Sequence, residues 1–232
     1  MTKLMTTVDT PLAELAVRIP AATKVFHRHG LDFCCKGWRS LSVACESKAL
    51  DPVLILDEIK AEAREPSDLT NWSERPLGEV IDYIVTRYHK PLREELEHFL
   101  AMARKVERVH AEKPTCPRGL AEHLEVLSAE VGAHLDKEER ILFPMIRAGQ
   151  PAHMPVQVMV QEHDDHAANL KRTRELTNEL QPPSDACTTW RALYMGLGVL
   201  ERELMDHIHL ENNVLFPRAL RGGAEPAVRP RH

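Results

Sequence analysis

From about residue 76 onward, apolar residues recur at steps of three and four along four long stretches, 76–111, 117–148, 155–181 and 186–216. That period predicts amphipathic helices. Pro114, Pro117, Gly149, Pro151, Pro155, Pro182 and Pro183 punctuate the gaps between them. Long helices with short connections run antiparallel, so the pattern predicts an up-down-up-down four-helix bundle. The first 65 or so residues carry shorter repeats. Asp9-Thr10-Pro11 opens a helix with Leu12, Leu15, Ala16 and Ile19 on its inner face. A second runs from about Ala21 to Gly30, whose glycine suits a helix end. Leu31 to Gly37 reads as a turn, Trp38 to about Lys48 as a helix, and Asp51-Pro52 as the start of another with Leu54, Ile55 and Ile59 inside. The polar, proline-bounded stretch from Arg64 to Pro76 separates the two patterns. The chain is therefore expected to be all-α. Its expected parts are a small helical domain at 1–66, a linker at 67–75, a bundle at 76–220 and a disordered tail at 221–232.

The bundle stripes are interrupted by polar residues in a regular way. In the second long helix the seam runs Leu120, Leu124, Leu127, Val131, His134, Glu138, Ile141. In the fourth it runs Leu193, Leu197, Leu200, Leu204, His207, Glu211, Val214. Both follow heptad steps, and in both a His and a Glu hold core positions one turn apart. The segments from His134 to Pro144 and from His207 to Pro217 share the pattern H-x-x-x-E-x-x-[IV]-L-F-P. The first long helix places His89 on the stripe of Ile81, Val85, Leu92, Leu96 and Phe99. The third places His163 on the stripe of Val156, Met159, Ala167 and Leu170. The inward polar set is thus His89, His134, Glu138, His163, His207 and Glu211.

Burying a carboxylate without a partner costs on the order of several kcal/mol, and two cost more. A cation between them removes the cost. Imidazole and carboxylate donors without thiolate suit first-row metals such as iron or manganese. Two bridging Glu and two His per ion, with an oxo or hydroxo bridge, leave one position open on each. The competing readings are separate core histidines with local partners, and a zinc site, which more often takes four ligands including Cys.

Composition narrows the function classes. The 232 residues are 28% charged and 43% hydrophobic, with a formal net charge of −5, as in a folded globular protein. There is no run of Lys and Arg to track a nucleic acid, no apolar run long enough for a membrane span, and no apolar signal-peptide core at the start. Five cysteines, two of them adjacent (Cys34 and Cys35), argue against a disulfide framework. The expectation is a cytosolic protein with neither nucleic-acid nor membrane partner. Thirteen histidines are the outlying count.

On these motifs the bundle resembles the hemerythrin-like domain. Phe33-Cys34-Cys35-Lys36-Gly37 resembles the short N-terminal domain of the iron–sulfur cluster repair di-iron proteins, the ScdA/YtfE/DnrN/NorA type. Arg87-Tyr88-His89, Glu162-His163-Asp164 and Met205 to Asn213 support the likeness, which spans about residues 8–220. The resemblance implies two non-haem irons held by His89, His134, Glu138, His163, His207 and Glu211. It also implies a role in nitric oxide and oxidative stress: repair of damaged iron–sulfur clusters, and binding of nitric oxide or its reduction to nitrous oxide. A nitric oxide buffer or sensor, or an iron donor, would use the same ligands without turnover. The same resemblance implies nitric oxide or oxygen as the small ligand and damaged iron–sulfur proteins as macromolecular partners, and a homodimer is compatible.

The sequence departs from the oxygen-carrying pattern. Ala167 stands where that pattern has a further His, and Glu211 follows His207 at four residues where it has an Asp at five. Pro91, just past His89, should break a helix bond to the Arg87 carbonyl and kink the helix. Glu162 is a candidate proton relay and otherwise a solvated Glu; His166 is a candidate neighbour of the site and otherwise surface. Cys34 and Cys35 are candidate redox thiols, or packing residues. Cys45, Cys116 and Cys187 read as structural, and His98, His110, His123, His153, His209 and His232 as bystanders.

Overall fold

The computed structural model of the chain describes residues 6–64 and 70–222. Among them the only regular structure is helical, with one isolated bridge between Pro11 and Ser40. No helix of these residues is long and apolar enough to cross a membrane. The chain divides into two compact units. One takes the N-terminal part to Val80 together with the residues from Met205; the other is Ile81–Leu204.

The first unit begins with four short helices: α1 (Leu12–Arg18), α2 (Ala22–His29), α3 (Leu41–Glu46) and α4 (Pro52–Glu62). Their ends follow local chemistry. Gly30 adopts φ 62° and closes α2, a left-handed position that costs a glycine little. The Ser40 side chain accepts from the Val43 N–H to start α3, and Asp51 caps Val53 beside Pro52 to start α4. Leu12, Leu15, Val25, Phe26, Phe33, Leu41, Ile55 and Ile59 make the core. Leu54, expected inside, is 62% exposed, and Leu56 is buried in its place. The helix expected from Trp38 starts only at Leu41, and Trp38 is exposed. Within the expected linker, Asn71 caps a single 3-10 turn, Trp72–Glu74. Residues 67–69 of that linker, and 223–232 of the expected tail, lie outside the described residues.

The long helices are α5 (Leu77–Ile84, Val85–His89 and Lys90–Val109), α6 (Leu120–Lys137, Glu138–Leu142 and Phe143–Arg147), α7 (His153–Leu176) and α8 (Thr188–His209, Leu210–Leu215 and Phe216–Leu220). α5, α6 and α8 each change winding in the middle span, where one turn is π-helical. In each case the residue before a proline donates to a carbonyl five residues back: Lys90 to Val85, Phe143 to Glu138, and Phe216 to Glu211. Pro91, Pro144 and Pro217 follow. The wider turn is a recognised way for a helix to take in a residue that cannot donate.

In the Ile81–Leu204 unit, Leu92, Leu96, Phe99, Leu120, Leu124, Leu127, Val131, Val156, Met159, Leu193, Leu197 and Leu200 pack inward as the heptad reading expects. Gly196 lies directly against Phe99, where an added Cβ would come 2.3 Å from the ring. Three seam positions differ. Val85 is half-buried and Ile84 is buried in its place. Ile141 is 53% exposed and Leu142 is buried, because both lie within the π turn Glu138–Leu142, which is one residue wider than an α turn. On α7, His166 is buried where Ala167 was expected; the seam runs Met159, His163, His166, Leu170, Thr173. α7 also ends short of residue 181, since Asn178, Glu179 and Leu180 all have positive φ.

Candidate metal centre

In the Ile81–Leu204 unit four of the sequence-selected residues meet. Glu138 Oε2 lies 3.5 Å from His89 Nε2 and 3.4 Å from His134 Nε2. His134 Nε2 lies 3.2 Å from His163 Nε2. One ligand atom from each of His134, Glu138 and His163 falls within 4.8 Å of the others. All four side chains are buried, His89, Glu138 and His163 completely. In the other unit, where α8 continues past Met205, His207 Nε2 and Glu211 Oε1 are 2.9 Å apart and equally buried. Each His–Glu pair of the repeat therefore joins one Nε2 to one carboxylate on its own helix, as i, i+4 geometry requires.

The outer nitrogens of two rings are held by carboxylates. His89 Nδ1 is 3.0 Å from Glu139 Oε1, and His134 Nδ1 is 2.9 Å from Glu162 Oε2. A ring that donates from Nδ1 turns the lone pair of Nε2 inward, which is the tautomer a metal takes. Arg93 supports this layer, donating to Asp136 at 2.9 Å and to Glu139 at 3.3 Å. Phe143 stacks on His89 with ring centroids 5.6 Å apart. Burial pulls the Glu162 carboxyl upward, but Lys137 and His134 outweigh it and hold Glu162 below the usual carboxylate range. Inward Nε2 atoms facing a buried carboxylate, with carboxylates behind the rings, form a donor set that fits a metal ion. Among the sequence candidates, Glu162 is thus a partner of His134, and His166 meets the His134 ring edge-on at 4.9 Å.

Glu139 was not singled out by periodicity. Its signal was the Glu138-Glu139 pair, in which the second carboxylate reaches back to the His of a neighbouring helix. His209, read as a bystander, is buried against Phe33 at 5.3 Å and accepts from Asn213 Nδ2 at 2.9 Å. Burial lowers its pKa to about 4. His98 and His153 are exposed. His123 lies against the Asn169 carbonyl, and His110 lies 3.2 Å from the Cys187 thiol. Cys45 and Cys116 are buried. His232 lies outside the described residues.

Cys34 and Cys35 sit in the turn after α2, with Sγ atoms 3.6 Å apart. The Asp32 carboxylate accepts from the Cys35 and Lys36 N–H groups and fixes the turn. Asn212 and Asn213 donate to the carbonyls of Cys34 and Phe33 at 3.2 Å and 3.1 Å. Gly37 closes the turn, since a Cβ there would lie 2.4 Å from the Phe33 carbonyl.

Comparison with known proteins places this arrangement. Residues 80–219 match the hemerythrin HHE cation binding domain, and residues 8–63 match a domain of unknown function, DUF542. The chain is 50% identical over 220 residues to the iron–sulfur cluster repair protein YtfE of Pectobacterium atrosepticum, covering 92% of this chain and 98% of that one. It is 47% identical over 216 residues to the protein of that name from Escherichia coli, covering 92% and 98%. A buried His–Glu repeat on a helical bundle, joined to a short helical domain with a Cys-Cys turn, thus marks a chain that belongs to the iron–sulfur cluster repair YtfE family, with a hemerythrin-type domain.

Proposed function

We propose that this protein is a non-haem di-iron protein that repairs iron–sulfur clusters damaged by nitric oxide or oxidants. His89, His134, Glu138, His163, His207 and Glu211 would hold the two irons, with Glu138 and Glu211 as bridging carboxylates beside an oxo or hydroxo group. The observation that carries the reading is the pair of fully buried carboxylates, Glu138 and Glu211, each facing imidazole Nε2 atoms. Such a carboxylate is favourable inside a protein when a cation shares it. Neutral nitrogen and carboxylate donors, without thiolate among the six, favour iron or manganese over structural zinc. The names of the relatives support repair as the task.

When bound, two ferrous ions supply two electrons and open positions for a small ligand such as nitric oxide or oxygen. The chain's own residues set the conditions. Glu139 and Glu162 hold protons at His89 Nδ1 and His134 Nδ1 and orient the rings. Phe143, stacked on His89, covers one face of that ring. Glu162, part-exposed and paired with Lys137, is the group through which a proton passes between solvent and His134 Nδ1.

The test is reactivation of a dehydratase whose cluster has been damaged by nitric oxide, using anaerobically reduced, iron-loaded protein, with the headspace assayed for nitrous oxide. Reactivation is expected, together with about one nitrous oxide per pair of irons, as two-electron coupling requires. Reactivation without gas would replace reduction by iron donation. Failure to reactivate the dehydratase would overturn the repair reading.

A further inference from the structure

The turn that carries Cys34 and Cys35 has an arrangement that the proposed di-iron function does not use. One ligand atom from each of Asp32, Cys34 and Cys35 falls within 4.8 Å of the others. Cys34 Sγ is 3.4 Å from Asp32 Oδ1 and 3.6 Å from Cys35 Sγ. We propose that Asp32, Cys34 and Cys35 form a second metal site, a three-ligand chelate for a soft divalent cation of the zinc class.

The spacing is what such an ion needs. With zinc–sulfur bonds of about 2.3 Å, two sulfurs 3.6 Å apart subtend about 103° at the metal, close to the tetrahedral angle. Two-coordinate linear binding would need the sulfurs much farther apart. The carboxylate supplies a third donor from a residue already tied down by the Cys35 and Lys36 N–H groups. The turn is fixed from its other side as well, since Asn212 and Asn213 hold the carbonyls of Cys34 and Phe33. Little ordering is left for the ion to impose, which favours binding. Cys34 is buried while Cys35 and Asp32 are part-exposed, so the cluster is reachable from solvent. On binding, the two S–H protons leave to solvent, two sulfur–metal bonds and one oxygen–metal bond form, and no electron moves. Three protein donors leave a fourth position for water or for an incoming sulfur ligand, the pattern of an open rather than a closed zinc site.

The experiment uses the full chain with its His/Glu centre already loaded with iron. Titrated Co2+ is expected to give the near-ultraviolet band of thiolate-to-cobalt charge transfer, saturating at one ion per chain. The band is expected to vanish in Cys34→Ser and in Cys35→Ser. Asp32→Asn should weaken binding by roughly tenfold or more, since a neutral amide oxygen replaces a charged carboxylate donor. A missing band, or a band unchanged in both serine variants, overturns the proposal. A second measurement needs no variant: one equivalent of Zn2+ should protect Cys34 and Cys35 of the unaltered protein from iodoacetamide, read peptide by peptide. Alkylation of both at the metal-free rate overturns the proposal as well.

Discussion

Asn212 donates from Nδ2 to the Cys34 carbonyl at 3.2 Å, and Asn212 is the residue that follows Glu211. Asn213 makes the matching bond to Phe33. The backbone of the Cys-Cys turn is thereby fastened to the same π-helical turn that carries one of the buried carboxylates. Each such bond contributes about 1 kcal/mol. Asn213→Ala, alone or with Asn212→Ala, should loosen the turn while leaving the helices intact. The expected result is faster modification of Cys34 by a thiol reagent, by about fivefold per bond lost on that energy scale. An unchanged rate with unchanged helix content would show that the turn holds its shape without them.

The carboxylates behind the rings should matter nearly as much as the ring donors. Glu139→Gln and Glu162→Gln leave His89, His134 and Glu138 in place but weaken the hold on the two Nδ1 atoms. Loss of such partners commonly costs 10–100-fold in metal affinity, so roughly that loss is expected for each variant. Iron retained after equilibration against a competing chelator measures it. Retention equal to the unaltered protein would return both residues to ordinary surface pairing.

Stability and metal binding should oppose each other at Glu138. The metal-free chain buries this carboxylate completely among imidazoles. Glu138→Gln removes the charge and keeps the shape. Metal-free Glu138→Gln should unfold at higher denaturant, by about 1–3 kcal/mol on the scale for relieving a buried charge. The same variant should fail to retain iron. A metal-free variant less stable than its parent would mean that the carboxylate is already well compensated by its neighbours.

Burial holds His209 neutral down to about pH 4, against an ordinary value of 6.5. Asp206 nearby pulls its pKa up and His27 pulls it down, both less than burial does. Below pH 6.5 the unfolded chain takes a proton at this position and the folded chain does not. Stability is therefore complete above that pH and falls as the pH drops towards 4. The loss over that window is on the order of 3 kcal/mol by linkage. Denaturation of the metal-free protein at pH 7 and pH 5 should show a smaller difference in His209→Gln than in the parent. Equal differences would place the titration elsewhere.

The sequence made much of this visible, for a physical reason. A heptad seam tolerates few polar residues, so His134, Glu138, His207 and Glu211 stood out against the leucines around them. Their matching segments weighed against the reading of separate core histidines. The seam failed where the winding changed. Ile141 was expected inside because regular α-helical steps lead to it from Glu138, whereas the π turn rotates Leu142 inward. His166 was passed over because Ala167 fitted an apolar stripe; the continuation to Leu170 and Thr173 shows the true phase. Glu139 and Asn212 lay beyond pattern reading altogether. Each acts on a partner far along the chain, His89 and Cys34, and no spacing within one helix announces it.

The three π turns carry a final consequence. A wide turn of this kind can travel along a helix, each carbonyl trading a partner five residues away for one four away, like a wrinkle moving through a carpet. Here that travel has a stop. Pro91, Pro144 and Pro217 each stand one residue past the donor that closes the wide turn, and a proline has no N–H with which to accept the exchange. The wrinkle cannot pass towards the C-terminus of any of the three helices. His89, Glu138 and Glu211 all belong to these turns, so none of them can be carried along its helix by a wrinkle moving towards the C-terminus.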